Sequence, residues 1–407
     1  MGGGRMSYDD PGRAAPGESS SAIPAALLEN VFDDPAHGEP GRDRLVVHLV
    51  WETLLLVALA AGTYLLWQEA PDTLRGDGLR DLLTDVVVLG LLTLAAGLSL
   101  RAATVNLAIG PVAVAAALHM AEQGDRGLTA AGGPALAVAT LGGLVLALVV
   151  VVLHVPAWAA GLAGAAGVVV YVEQRTGAVL PQGTYDPERD ALPLFAGFAA
   201  VAVLGGVFGA VRAVRRMVGR FRPVVDPARR RGVVAALVAV GAIVGSTVLA
   251  MLAGLLLGTA GADPVTPGTG LDWTVLAVGT SLLAGTSAYG RRGGIFGTLL
   301  AVSLVTVVLA YADARGWTVD RWALGAVTLG IGLVVTRVVE AYGRPASAPE
   351  RLPATDGRIS TGWTVPRADP PATWPPAMPE RSAEEPVDPW DVSRWETGPR
   401  RWDTEDR

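Results

Sequence analysis

The chain has 407 residues, of which 51 % are hydrophobic and only 17 % are charged, so lipid rather than water is its expected solvent. Its formal net charge of −6 says little about partners, because the acidic residues lie mostly in the two tails and a few loops. The absence of Cys excludes disulfides, thiolate metal sites and a Cys nucleophile.

The N-terminal arm, residues 1–43, is polar and has no apolar stretch before Ser20. A cleavable signal peptide is therefore not expected. Ser21 is a suitable N-cap for a short helix with Ile23, Leu27 and Val31 on one face. Both an interfacial helix and a locally packed stub fit this pattern.

Apolar runs long enough to cross a hydrocarbon core of about 30 Å then predict about ten transmembrane helices. The predicted spans are residues 45–67, 82–100, 107–122, 133–153, 156–172, 192–214, 233–259, 273–289, 295–312 and 322–339. The predicted fold class is an all-α integral membrane protein, with a transmembrane domain at residues 44–343.

Ionisable and polar residues inside the predicted spans are the best candidates for function, since a charge in hydrocarbon is costly. His48 and Glu52 lie one helical turn apart in the first span, while Arg101 and Asn106 lie at a break between the second and third spans. The hypothesis is that Arg101 and Asn106 line a central cavity, with Glu52 as the nearest counter-charge. A Glu–Arg pair that only fixes helix packing is the alternative.

Arg residues cluster in alternate loops, and this pattern predicts the orientation of the chain. The loop between the sixth and seventh spans is the richest, and the opposite loops are neutral or acidic. Both termini are therefore predicted to be cytoplasmic. The Ala, Gly and Val richness and the absence of Lys suggest a high-G+C bacterium and hence a bacterial cytoplasmic membrane. The Arg residues of this loop that could contact a partner are Arg220, Arg222, Arg229, Arg230 and Arg231.

Four stretches in order resemble turns of the sugar-type ABC importer permeases, the ribose permease family. They are VNLAIG at residues 105–110, LHVPAWAAGLAG at 153–164, PGTGLD at 267–272 and GTSAYGRRGGIFGT at 285–298. The resemblance covers roughly residues 45–342. Interrupted helices at residues 104–111 and 285–294 would suit a transporter, although Gly also promotes close helix packing in any membrane bundle.

The resemblance implies an ABC importer permease-like fold with three kinds of partner. These are a cytoplasmic ATPase subunit, an extracytoplasmic solute-binding protein and a second permease chain, identical or different. The sequence departs from the family in two places. Asn106 stands where the family has Asp, and the loop at residues 219–232 is shorter than the family's coupling helix and carries Pro223 and Pro227.

Other chemistry has no support in the sequence. A nucleotide-binding Gly-Lys-Ser/Thr loop is impossible without Lys, so any ATPase must be a separate chain. The four His residues lie in different segments without ligand spacing, so neither a metal site nor any other cofactor is expected. Neither catalysis nor nucleic-acid binding is expected.

The tail, residues 344–407, is rich in Pro, Glu, Arg and Ser and is predicted to be disordered. Its isolated Trp residues could anchor a partner or the membrane surface, or the tail could be a passive linker.

The predicted function is a permease subunit for a small polar, sugar-like solute. The alternative is a diverged membrane scaffold or sensor that keeps the fold without transport.

Overall fold

The computed structural model describes residues 45–211, 214, 233–259, 264–287 and 294–343. The chain divides into two units, Met1–Ser347 and Ala348–Arg407, and every described residue belongs to the first. Three predicted features lie outside the described residues. They are the N-terminal helix, the tail, and the Arg residues named in the loop between the sixth and seventh spans.

Ten α-helices are present in the described residues, and each overlaps one predicted span. In chain order they are α1 (Leu45–Glu69), α2 (Gly76–Arg101), α3 (Ile109–Gln123), α4 (Leu128–Val152), α5 (Ala157–Val172), α6 (Ala191–Ala210), α7 (Val233–Leu257), α8 (Leu271–Leu283), α9 (Gly297–Ala314) and α10 (Arg321–Gly343). The only β-type pairing among these residues is an isolated antiparallel bridge between Val179 and Val265. The prediction of an all-helical architecture is confirmed for the described residues, and this architecture is compatible with an α-helical membrane protein.

Seven of these helices are long and apolar enough to cross a membrane, namely α1, α2, α4, α6, α7, α9 and α10. Two others, α5 and α8, are apolar but shorter, and α3 has 15 residues. A helix rises 1.5 Å per residue, so these three cover only part of a bilayer of about 30 Å unless the surrounding chain extends them. Ten complete spans therefore stay a prediction.

The surface of α4 shows why water is a poor solvent for this bundle. Val138, Leu141, Val145 and Leu148 recur at helical spacing and are all exposed. A soluble protein rarely leaves such a continuous apolar stripe uncovered. Lipid chains can cover it without cost, so the stripe supports insertion of the bundle into a membrane.

Helix α2 lies at the centre of the bundle. Within its most apolar 18-residue window, 72 % is buried inside the protein, compared with 17 % to 44 % for the other long helices. It packs against α6, α7, α8 and α9. Because α2 is apolar on most of its circumference, it can be surrounded by helices on all sides.

One difference from the predicted spans is at the end of α8. The eighth span was predicted to continue to residue 289, whereas the helix ends at Leu283. A turn with a left-handed residue, Gly285, ends the helix there. Residues 285–289 are uncharged, so hydropathy alone could not locate the helix end.

Candidate functional site

The first helix interruption joins α2 to α3. The Thr104 N–H donates to Ser99 O at 2.9 Å, and the Ala103 N–H donates to Leu100 O at 2.9 Å. Ala103 has a φ of 52°, in the left-handed region. Together these features form a Schellman motif, which satisfies the last carbonyls of a helix with backbone donors. Helix α2 therefore ends in a defined turn.

The second interruption follows α8 and has the same geometry. The Thr286 N–H donates to Ser281 O at 3.1 Å, and the Gly285 N–H donates to Leu282 O at 2.9 Å. Gly285 occupies the left-handed position, with a φ of 86°. Glycine adopts this conformation without the steric strain that Ala103 carries at the matching position.

The two helix ends also share the sequence pattern A-x-G-x-S-L-x-A-x-T, at residues 95–104 and 277–286. Helices α2 and α8 pack against each other. At their contact, a Cβ added to Gly97 would lie 3.1 Å from Ser281 Oγ. Nearby, Thr286 is buried, and its Oγ1 has no hydrogen-bond partner in the described part of the chain. This repeat is the signal from which the pairing of α2 with α8 could have been predicted.

Asn106, predicted to line a cavity, connects the first interruption to α7. Its Nδ2 donates to Ser246 Oγ at 2.9 Å and to Thr247 Oγ1 at 3.1 Å. Its Oδ1 accepts a hydrogen bond from the Ala108 N–H at 3.0 Å. The side chain is buried, and both amide hydrogens are used inside the bundle. A direct role of Asn106 in binding a solute stays a prediction.

Glu52 and its neighbour Trp51 connect the second interruption to α1. The buried Glu52 carboxylate accepts hydrogen bonds from the Phe296 N–H at 2.7 Å and the Gly297 N–H at 3.1 Å. Trp51 Nε1 donates to Leu283 O at 2.8 Å. The carboxylate thus lies at the N-terminus of α9 and the indole N–H at the C-terminus of α8. Each group has the polarity that its helix end prefers.

The two interruptions are therefore held in the same way by different neighbours. Helix α7 packs along α3 and forms hydrogen bonds with Asn106 in the turn before α3. Helix α1 packs along α9 and forms hydrogen bonds with the backbone just before and at the start of α9. The chemistry differs between the two places, because an amide and two hydroxyls serve the first interruption and an ionisable carboxyl serves the second.

Arg101 is the last residue of α2 and is not paired with Glu52 in this structure. Its Nε is buried without a hydrogen-bond partner, and it forms no ion pair with a described residue. A Cβ added to Gly209 of α6 would lie 3.6 Å from Arg101 Nη1. Asn106 and Glu52 thus bond to different helices, and the grouping of Arg101, Asn106 and Glu52 around one cavity stays a prediction.

Two of the stretches that suggested a family lie together in the fold. The backbones of Gly110 and Gly270 are in contact, and a Cβ on either residue would overlap the other. Thr274 Oγ1 accepts from the Gly110 N–H at 3.1 Å and donates to Leu107 O at 3.3 Å. The loop before α8 is therefore anchored at the first turn of α3.

The loop between α5 and α6 forms a second connection, which we call the outer strap (residues 173–186). Val179 and Val265 exchange two backbone hydrogen bonds of 2.9 and 2.8 Å, and the Gln182 N–H donates to Ala121 O at 2.9 Å. Arg175 donates to both oxygens of Glu122, at 2.7 and 2.9 Å. The strap therefore connects α3, α5 and the loop before α8 on the predicted outer side.

The Arg175–Glu122 pair remains charged over the ordinary pH range. The hydrogen bond to the Glu122 carboxylate raises the pKa of Arg175 above its already high usual value. The guanidinium also lies 4.1 Å from the centre of the Tyr171 ring, in cation–π geometry. This anchor of the outer strap is thus insensitive to mild changes in pH.

In the described residues, no group of three or more His, Asp or Glu side chains could hold a metal ion. No protein-family model matches the chain. Neither a curated protein nor a solved structure matches it. The two helix interruptions and the residues that hold them are therefore the features that bear on function.

Proposed function

We propose that this chain is the membrane-spanning permease subunit of an ABC-type importer for a small polar, sugar-like solute. The observation that carries the proposal is the pair of matched helix ends at residues 99–104 and 281–286. Internal repeats with interrupted helices are characteristic of membrane transporters, whose binding sites lie at the interface between the repeats. A bundle that served only as an anchor would not need two matched interruptions.

The side chains at the contact of α2 and α8 suit an uncharged polar solute. Ser99, Ser281 and Thr286 are buried hydroxyl residues, and Gly97 lets the Ser281 side chain approach α2 closely. Hydroxyl groups can both donate and accept hydrogen bonds, as recognition of a sugar requires. The resemblance of four stretches to the ribose permease family supports the same class of solute.

Transport would require partners that this chain does not contain. A separate cytoplasmic ATPase would supply energy, a solute-binding protein would deliver the solute, and a second permease chain would complete the transporter. The Arg-rich loop is the proposed contact for the ATPase. A contact through Arg229, Arg230 and Arg231 would be electrostatic and would weaken with salt.

The test is reconstitution with each ABC-type ATPase from the same genome, followed by uptake of radiolabelled pentoses and hexoses into vesicles. We expect one ATPase to co-purify with the chain and to hydrolyse ATP faster in its presence. Replacement of the three loop Arg residues by Glu should release that ATPase, whereas the same replacement at the outer residue Arg189 should not. If no ATPase binds the wild-type chain, the importer proposal is wrong.

A second function, a membrane scaffold or sensor without transport, is favoured by a specific observation. The Asn106 amide hydrogens and Glu52 Oε1 are bonded to partners inside the bundle, so these groups are not free for a solute in this conformation. A scaffold would bind a partner protein without sugar uptake under any condition. Uptake by the reconstituted complex would exclude this alternative, and an adjacent gene for an ATPase and for a binding protein would argue against it.

A further inference from the structure

Arg101 is the one described buried cation that the contacts above leave without an anion. Its Nε is shielded from solvent and unpartnered, and the residue as a whole is only partly buried. A buried guanidinium without a hydrogen-bonding anion is strongly unfavourable. Since the residue is not fully buried, an external anion could supply the missing partner.

The surroundings of Arg101 indicate what kind of molecule carries this anion. Arg101 Nη1 faces Gly209 near the end of α6, and the neighbouring Gly206 touches the backbone of Ile295, just before α9. Beside these contacts, Phe208, Val211 and Phe296 expose large apolar side chains. A cation thus lies next to an apolar surface where three helix ends meet.

The predicted orientation of the chain indicates which leaflet of the membrane Arg101 would face. The ends of α2 and α6 and the start of α9 all belong to the predicted cytoplasmic side of the bundle. The cytoplasmic leaflet is the one that attracts basic residues through its anionic lipids. Guanidinium groups bind phosphate through directed, charge-assisted hydrogen bonds.

We infer that Arg101 binds the phosphate of an anionic phospholipid of the cytoplasmic leaflet, whose acyl chains lie against Phe208, Val211 and Phe296. A Cβ at position 209 would already contact the guanidinium, so a larger side chain there would compete with the headgroup for it. The N-terminus of α9 contributes little to this site, because the Glu52 carboxylate already occupies it. This inference does not depend on the proposed transport function.

The test measures stabilisation of the full purified chain in detergent by added lipid. Thermal unfolding is followed during titration with phosphatidylglycerol or with phosphatidylcholine of the same acyl chains. We expect phosphatidylglycerol to stabilise the wild-type chain at lower concentrations than phosphatidylcholine does. Arg101→Gln should raise the half-saturating concentration of phosphatidylglycerol by about tenfold, because charge-assisted hydrogen bonds to phosphate are lost. Arg101→Lys should have a smaller effect.

Two further variants keep the test decisive. Arg189→Gln is the matched control, since Arg189 is exposed on the predicted outer side and pairs with Asp186, and it should leave lipid binding unchanged. Gly209→Leu retains the charge but fills the space beside it, so it should weaken phosphatidylglycerol binding even if Arg101→Gln does not fold.

Three results would overturn the inference. The first is equal stabilisation of the wild-type chain by the two lipids. The second is unchanged phosphatidylglycerol binding in both Arg101→Gln and Gly209→Leu. The third is full stabilisation by inorganic phosphate alone, which would assign the site to a free anion instead of a lipid.

Discussion

Glu52 and Asn106 each satisfy backbone groups that a helix interruption leaves open, although one is acidic and the other neutral. The Glu52 carboxylate accepts two N–H donors at the start of α9, and Asn106 accepts one N–H and donates to two hydroxyls of α7. An unmet buried donor costs about 1–3 kcal/mol. Both side chains therefore act first on the conformation of the backbone, whatever further role they have.

Replacing Glu52 by Ala should destabilise the protein by about 2–4 kcal/mol, because two buried N–H groups lose their acceptor. Glu52→Gln should cost less, since its amide oxygen can still accept. The measurement is thermal or denaturant unfolding of the purified chain in detergent. Thr53→Ala is the control, because Thr53 is exposed and bonds only to its own helix. Unchanged stability of Glu52→Ala would show that the carboxylate does not hold α9.

The matched ends of α2 and α8 differ at one informative position. Ala103 and Gly285 both occupy the left-handed residue of the turn, with φ values of 52° and 86°. A residue with a Cβ is strained there by about 1–2 kcal/mol, whereas Gly is not. The first interruption thus carries backbone strain that the second avoids.

Replacing each of these residues by the other type, in two separate variants, should have different effects on stability. Gly285→Ala should destabilise the protein by about 1 kcal/mol, and Ala103→Gly should be neutral or stabilising by up to about 1 kcal/mol. Unfolding of the two variants beside the wild-type chain measures both effects. Loss of stability in Ala103→Gly would contradict a left-handed conformation at this position.

The outer strap is testable because the chain has no Cys of its own. Val179 and Val265 exchange two backbone hydrogen bonds, a pairing in which the Cα atoms lie about 5.5 Å apart. That separation permits a disulfide. The double variant Val179→Cys with Val265→Cys should therefore crosslink on mild oxidation and show a mobility shift that reductant reverses.

The matched control for the strap combines Val265→Cys with Leu180→Cys, because neighbouring residues of an extended segment point to opposite sides. Leu180 is exposed, and this pair should crosslink far less. Equal crosslinking of both pairs, or none in the first, would contradict the bridge. If the importer proposal is correct, the oxidised strap should also slow uptake.

For the whole molecule, the testable property is the orientation of the bundle in the membrane. Arg-rich loops in alternate positions predict that both termini are cytoplasmic. Reporter fusions at Gly183 and Gly268 should therefore report a periplasmic location, and a fusion at Arg222 a cytoplasmic one. Opposite results at two of these positions would refute the assignment of helices to sides.

The sequence was most informative where hydrophobicity alone decides the structure. Each predicted span overlaps a helix, because lipid-facing and buried helix residues are both apolar. Helix ends inside the bundle are harder to predict, as at Leu283, where a backbone motif ends the helix before the first charged residue. Hydropathy contains no information about such a motif, but the repeated pattern at residues 95–104 and 277–286 does.

The grouping of polar residues could not be predicted from their positions along the chain. Arg101 and Asn106 are five residues apart, yet the intervening turn directs them to different helices, α6 and α7. Glu52 was assigned to Arg101 because opposite charges in lipid tend to pair. Backbone N–H groups at the start of α9 are its partners instead, and they appear only once the interruption is placed in space.

Trp51 and Glu52 are consecutive residues, so their side chains leave α1 in directions about 100° apart. One reaches the end of α8 and the other the beginning of α9. Rotation of α1 about its axis, or a slide along it, would pull on both sides of the second interruption at once. The first helix is thus mechanically linked to the gap between two others. A force applied to the N-terminal arm would reach that gap directly, without passing through the centre of the bundle.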